Sequence, residues 1–476
     1  MTGIADAFVA VDQGGHATRA LAYDAAGRLL AACSQPVQTI HTATGGVEHD
    51  GGEIVASVRE ALAGLARDVP TLRWRAAGLA VQRSTVGCWD RVTGALLAPV
   101  ISWQDRRQAA WLEGLSASAT RVHQLTGLPL SPHYGACKLR WCLDHVDAVQ
   151  AAHSQGRLCA GPLASLLMAR LLAGRPFVCD EANASRTQLF SPQDRRWSAE
   201  LLDLFGVPAD VLPALLPTCD GFGTLQAGED SVPLVVCTGD QSAVPFAAGP
   251  LDPQAAYVNL GTGAFVLRPV DAAPRAAPLL ASVLASDATR VDYVLEGTVN
   301  GAGSAFDWLA RQEDVAVESL LALLERPASP DAESALFLNG VSGLGSPFWR
   351  PDFPSRFVGA ATRAGRARAV AESIAFLLAV NLEAMQAHAG PPARIVASGG
   401  LSQCGFLLDA LAALSGTPVE RVEDGEATAR GLAWLVAGRP AGWQPPPMAT
   451  FRPRPQPALE ARYQRWRREL ALAMAA

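Results

Sequence analysis

The sequence predicts an α/β protein of two domains with a related plan, facing each other. Three observations predict it. The chain has 476 residues, too many for one hydrophobic core. The stretch "VAVDQGGHATRALAYD", residues 9–24, reads as strand, glycine turn, strand. The stretch "AAYVNLGTGAFVLRPV", beginning at residue 255, repeats that pattern about half a chain later.

The first hairpin is a run of small apolar and β-branched residues that reaches Asp12, breaks at Gly14 and Gly15, and resumes by alternation through Arg19, Leu21 and Tyr23. "GRLLAACSQ" follows as a third strand and makes a meander. Gly and Pro interrupt the pattern at "FAAGPLDP", which places the boundary between residues 1–248 and 249–440. In the second half, "RARAVAESIAFLLAVNLEAMQAH" sets Ile374, Leu377, Leu378, Leu382 and Met385 at helical spacing, predicting a helix buried on one side. The tail, 441–476, opens Pro-rich ("RPAGWQPPPMATFRPRPQP"), which predicts an extended strap over the surface. A short amphipathic helix, "EARYQRWRREL", follows.

Composition sets the outer bounds. With 49% hydrophobic and 18% charged residues the chain is an ordinary folded globule. A net charge of −6 without a long basic run argues against a nucleic-acid partner and against polybasic membrane contact. The start, "MTGIADAFVAV", lacks the basic and apolar regions of a signal peptide, and no apolar run approaches the ~18–20 residues that span a bilayer. A cytoplasmic location is the expectation. The nine cysteines are odd in number and have no metal-ligand cadence. Cys137 and Cys142 are five apart in a segment that reads as helical, with no second pair. Buried small hydrophobes in a reducing compartment is the expected role of the nine.

Four glycine junctions carry the chemistry: "VDQGGHAT" (11–18), "CTGDQSA" (237–243), "NLGTGAF" (259–265) and "IVASGGLSQ" (395–403). Glycines at strand ends let backbone N–H groups approach phosphate, and a following helix adds its positive end. Other phosphate and hydrolase signatures fail. No G-x-x-x-x-G-K-[ST] is present, "GTGAFV" and "GAGSAF" lack the third glycine of the dinucleotide fingerprint, and neither G-x-S-x-G nor H-E-x-x-H occurs.

At these residues the chain resembles the FGGY family of carbohydrate kinases, and within it the glycerol kinases most closely. The likeness runs through "DQGGHATRA", "GGVEHD", "VQRSTVGCWDRVTG", "SWQDRR", "KLRWCLDHV", "NASRTQLF", "GDQSA", "LGTGAF", "LEGTVNGAGSAFDWL", "GLGSPFW", "ESIAF" and "SGGLSQCGFL", in the family's order. It implies two actin-like (ribonuclease H-like) ATPase domains around a central cleft. It also implies an ATP- and Mg²⁺-dependent kinase for a small polyol or sugar, forming a homodimer. By the resemblance, Asp240 is the general base that takes the substrate hydroxyl's proton; read from the residues alone, a cap for the helix that begins at "SAVPFAA" is the better account. Asp12 would hold Mg²⁺ beside the phosphates. Gly14, Gly15 and His16 form the first phosphate loop, with Arg19 beside it. Gly261 and Thr262 would contact the β- and γ-phosphates. Gly303 and Asp307 would lie near the nucleotide, and Gly399 and Gly400 would border adenine and ribose. Arg83, Asp240 and Gln241 would hold substrate hydroxyls, with Trp103 and Phe265 as the apolar wall.

The departures fall in two places. The residue after the substrate-site arginine is a glutamate in glycerol kinases and Ser84 here. A substrate-binding tyrosine falls at His133, with Tyr134 next along. Hydroxyl-reading positions discriminate strongly among polyols, so a tetritol, pentitol or ketose is the alternative to glycerol. The phosphate loop has Gly15 and His16 where the family carries Thr/Ser hydroxyls. His16 either offers a ring N–H to phosphate or points to solvent, and a nucleotide-binding sensor with weak transfer is the rival reading. "GTLQAGEDSVP" has no Gly-Gly-Thr-Arg loop, so a sugar-bisphosphate feedback site is expected to be absent.

Overall fold

Two sheets built on the same plan pack against opposite sides of one helix. The computed structural model describes residues 5–227, 230–273, 278–325, 335–423 and 425–475. In the first sheet, Ala5–Gln13 pairs antiparallel with Ala17–Tyr23, which pairs antiparallel with Leu29–Pro36. On the other side of the opening strand, Leu72–Val81 and then Asp230–Gly239 lie parallel to it, and Cys219–Ala227 closes the edge. Residues 228–229 of the "GTLQAGEDSVP" segment lie outside the described residues. The second sheet repeats the arrangement: Ala255–Leu260 pairs antiparallel with Ala264–Val270 and parallel with Arg394–Ser398. The first meander and the second hairpin follow from the sequence pattern, whereas Val291–Val299 reaches Ala264–Val270 out of sequence order.

Period-two alternation decides what each face meets. In the opening strand, Ala7, Val9 and Val11 are buried with Ile54, Val58 and Leu62 of the helix Gly51–Asp68. Asp50 caps that helix, accepting from the Gly52 amide at 2.7 Å. Ala10, on the other face, joins Leu432 and Val436 of the helix Ala427–Val436. In the second sheet Val258 and Leu260 join the core around the long helix Arg363–Ala389, while Ala255 and Tyr257 turn toward Ala427–Val436. The close seat of that shared helix depends on Gly78, where a Cβ would lie 2.5 Å from a Val436 methyl.

Two expectations are corrected. The helix Arg363–Ala389 is buried on every side between residues 369 and 379, not on one face. Its outer side is covered by the chain's tail, where Phe376 meets the rings of Tyr463 and Trp466 at 5.2 and 5.4 Å. By length and composition it could cross a membrane, contrary to the reading that no stretch does, but protein surrounds most of it. The tail's Pro-rich part, through residue 456, is extended and mostly exposed, as a strap would be. Met448–Phe451 adds an antiparallel edge strand, and the helix Pro457–Ala475 buries Leu459, Tyr463, Trp466 and Leu470 at i, i+4, i+7 and i+11.

A smaller five-stranded sheet, including Val86–Asp90, Val100–Ile101 and Leu158–Pro162, packs with the helix Gly135–His145 beside the first sheet. That helix carries Cys137 and Cys142. All nine cysteines are free thiols, six of them buried.

Candidate active site

Three adjacent parallel strands deliver the charged residues. Asp12 lies opposite Ala80, and Ala80 lies opposite Thr238, so Asp12, the Arg83–Ser84 turn and Asp240 emerge at one end of the sheet. Asp12 is buried, which pushes its carboxyl up to about 7. Arg19 opposes the shift, and the charges of Asp240 and Glu426 add to it. Arg19, the cross-strand partner of Asp12, donates from Nη2 to Asp12 Oδ2 at 2.9 Å and from Nη1 to Glu426 Oε1 at 3.0 Å. A buried carboxylate that resists ionisation would be relieved by a cation. Among the described residues no group of three or more His, Cys, Asp or Glu side chains forms a metal cage. Asp12 fits the other kind of site, in which one carboxylate, waters and nucleotide phosphates complete the shell of Mg²⁺.

Asp240 is the first residue of a short helix, Asp240–Ala243, whose cap position belongs to Gly239. Its Oδ1 accepts from the next amide, Gln241 N, at 2.7 Å and lies 3.8 Å from Arg83 Nε. Burial raises its pKa, Arg83 pulls it down, and Glu296 raises it again. The side chain keeps 27% exposure and does not cap the helix that it begins. Gly239 is required by Arg83, whose Cγ would lie 2.5 Å from a Cβ there.

Around Asp240 the expected substrate residues come together, along with three that sequence reasoning missed. Arg83 Nη1 donates to Glu296 Oε2 at 2.8 Å, and Arg186 Nη2 donates to Glu296 Oε1 at 3.2 Å. Glu296 is fully buried on Val291–Val299 of the second sheet. Burial works to raise its pKa, yet Arg186 and Arg83 hold it below the usual carboxylate value. Phe265 lies 6.0 Å from the Arg83 guanidinium. Ser84 takes a left-handed backbone (φ 64°), and its buried Oγ has no hydrogen-bond partner among the described residues. Lys138 Nζ, also buried, donates to Ser84 O at 2.9 Å and to the carbonyl of His133, tying the two altered positions together. Burial brings the Lys138 amine down to about 7. The His133 ring sits between Trp103 (5.5 Å) and the edge of Tyr134 (5.0 Å). Burial, then the charges of Lys138, Arg186, Arg83 and Arg106, hold His133 well below its ordinary pKa. Burial pushes the Tyr134 hydroxyl up to about 12. Trp103 is 39% exposed. Glu296 had a signal in the sequence: of the two acidic residues in the strand "VDYVLEGTV" it is the one in the apolar interior rather than near the end. Arg186 and Lys138 lie in the quoted segments "NASRTQLF" and "KLRWCLDHV" without a local cue to their partners.

The glycine turns lie on either side. Gly14 N donates to Ala17 O at 2.9 Å, Gly15 O accepts from Thr39 Oγ1, and His16 is exposed at the tip. In the second domain, Gly261 N donates to Gly263 O, while Gly303 N and Ser304 N donate to Gly261 O and Thr262 O. The helix Gly303–Glu313 is thus seated on the turn, because a Cβ on Gly303 would lie 2.9 Å from Gly261 O. Thr262 is exposed, as is Asp307 one helical turn beyond Gly303. Gly399 has φ 89° and no room for a side chain beside Asn259 and Leu260, whereas Gly400 is open. Asn259 Nδ2 donates to Gln241 Oε1 at 2.7 Å, joining the residue after Asp240 to the strand that leads into Gly261.

Known proteins give the same arrangement a name. The N-terminal domain of the FGGY family of carbohydrate kinases matches residues 7–258, and its C-terminal domain matches residues 256–438. The chain is 34% identical to a glycerol kinase of Polaromonas naphthalenivorans, covering 90% of this chain and 89% of the relative. It is 35% identical to a glycerol kinase of Bordetella parapertussis, covering 98% and 96%. Among solved structures, Plasmodium falciparum glycerol kinase with ADP superposes with a TM-score of 0.90 at 22% identity, covering 99% of each chain. Xylulose kinase from Rhodospirillum rubrum gives 0.84 at 22% identity, covering 98% of each. These structures share the two-domain fold with its central cleft. By sequence and by fold alike, the chain belongs to the FGGY family of carbohydrate kinases.

Proposed function

We propose that this kinase transfers the γ-phosphoryl group of ATP to a hydroxyl of a polyol or ketose longer than glycerol. The observation that carries the reading is Ser84, a short buried side chain whose hydroxyl has no partner among the described residues, at a position where glycerol kinases have a glutamate. With His133 in place of a tyrosine, two of the groups that would read glycerol are changed, and the shorter serine leaves length for a further carbon.

Asp240 accepts the hydroxyl proton as the oxygen attacks phosphorus. Its raised pKa suits a base working near neutrality. Arg83 and Gln241 orient the chain of hydroxyls, and Trp103 and Phe265 bound it on the apolar side. Gly14, Gly15, Gly261 and Thr262 cradle phosphate, and Gly399 and Gly400 make room for the nucleoside. Asp12 is the residue that would hold Mg²⁺, which supplies charge neutralisation on the transferring group. Closure of the cleft keeps water from the phosphoryl group.

The test is substrate-dependent ADP formation across three- to six-carbon polyols and ketoses. A longer substrate should lead in kcat/KM. A lead of tenfold or more for glycerol would sink the pocket argument, and no substrate-dependent ADP at all would favour the sensor reading.

A further inference from the structure

The buried donors around the substrate pocket are not all met. Two buried guanidinium groups, Arg83 and Arg186, and the buried Lys138 amine surround His133, and Arg106 adds an exposed guanidinium at the rim. Glu296 and Asp240 face the two buried guanidinium groups, and the charge of Asp105 bears on Lys138. Glu296 serves two guanidinium groups at once and gives each a single oxygen. Arg186 Nε and Nη1 are buried and donate to nothing among the described residues. The Tyr134 ring, 5.4 Å from the Arg186 guanidinium, offers a π face but no acceptor lone pair. Ser84 Oγ is likewise buried and unpartnered.

Buried donors left unsatisfied are costly, and a desolvated guanidinium is most strongly relieved by a carboxylate that meets its fork in two places. Where glycerol kinases have a glutamate beside the site arginine, this chain has Ser84. The wall there presents a serine hydroxyl and guanidinium N–H groups that no acceptor among the described residues meets. We propose that the substrate of this site is a polyhydroxy acid, whose carboxylate seats against Arg186 and Ser84 while a hydroxyl further along the chain faces Asp240. This rests on the kinase reading above and moves its substrate class from the neutral polyols and ketoses to their acids. The carboxylate takes no part in bond making. The hydroxyl oxygen bonds to the γ-phosphorus, the bridging oxygen leaves with its electron pair as ADP, and the hydroxyl proton passes to Asp240.

The experiment compares acids with neutral alcohols of equal length: erythronate with erythritol, ribonate with ribitol, gluconate with glucitol. ADP formation is followed at low and moderate salt. The acid should lead its pair in kcat/KM by at least tenfold for one length or more, with a KM that rises with ionic strength. Ser84→Glu should cut the acid-to-neutral ratio at least tenfold by returning a negative charge to the wall. A preference for the neutral member in every pair, or a ratio unmoved by Ser84→Glu, would overturn the acid assignment and leave the kinase reading standing. No substrate-dependent ADP with acids, polyols or ketoses would overturn both.

Discussion

Glu296 of the second sheet accepts a hydrogen bond at 2.8 Å from Arg83, which follows a strand of the first sheet, so one buried ion pair spans the two domains. Glu296 also raises the pKa of Asp240. Glu296→Gln removes a negative charge beside the base and releases Arg83 toward it. Both effects lower the pKa of Asp240. The acid limb of the kcat/KM profile should therefore move to lower pH, while substrate KM rises about tenfold as the domains lose their tie. An acid limb that stays in place would show that Asp240 does not sense this pair.

Asp240→Asn keeps the shape and removes the carboxylate proposed as the base. Turnover should fall about a hundredfold or more, with substrate binding by calorimetry largely retained. Near-normal turnover would take Asp240 out of the chemistry.

Asp12 trades stability for function. Its folded pKa of about 7 lies above the unfolded value of 3.8, so the folded state holds the proton more tightly. The associated stability is present below about pH 4 and is lost as the pH rises toward 7 and beyond. Asp12→Asn should therefore stabilise the nucleotide-free protein at pH 8, by about 1–3 kcal/mol, and flatten its stability between pH 5 and 8. The same variant should lose Mg²⁺-dependent ATP use. A variant less stable than the parent at pH 8 would contradict the assignment.

Lys138 is a positioning residue, bonded to the backbone of Ser84 and of His133. A neutral amine still has two N–H groups for two carbonyls, so loss of its proton near pH 7 breaks neither bond. Lys138→Met leaves both carbonyls unsatisfied. Stability should drop by about 1–3 kcal/mol, and substrate KM should rise at least fivefold with the KM for ATP little changed. Equal effects on both KM values would mean that the residue acts on the fold alone.

What the sequence revealed and what it hid divide by distance along the chain. Turns at Gly14 and Gly261 are legible because their backbone demands are local, and Asp12 and Asp240 are legible because each stands at a strand end beside such a turn. The Glu296 pairs are not, since Arg83 and Arg186 lie 213 and 110 residues from it and no short pattern couples them. The long helix read as one-sided because its outer cover, Tyr463 and Trp466, arrives about ninety residues later. The tail read as a strap because its prolines suggest an extended chain, which its Pro-rich part is. Its edge strand and buried stripe take their meaning from a sheet and a helix already built.

The helix Ala427–Val436 has a consequence for how the molecule comes apart. Its Leu432 and Val436 press on the first sheet at Gly78, and the same apolar cluster includes Tyr257, Leu267, Val294 and Val396 of the second. Neither lobe can melt alone without stripping this shared layer from the other. Thermal denaturation should accordingly show one cooperative endotherm, with van't Hoff and calorimetric enthalpies in agreement, despite the two-lobed shape. Damage to the packing of either lobe would then lower the same melting temperature, and a destabilised second lobe would disturb Asp240, which belongs to the first.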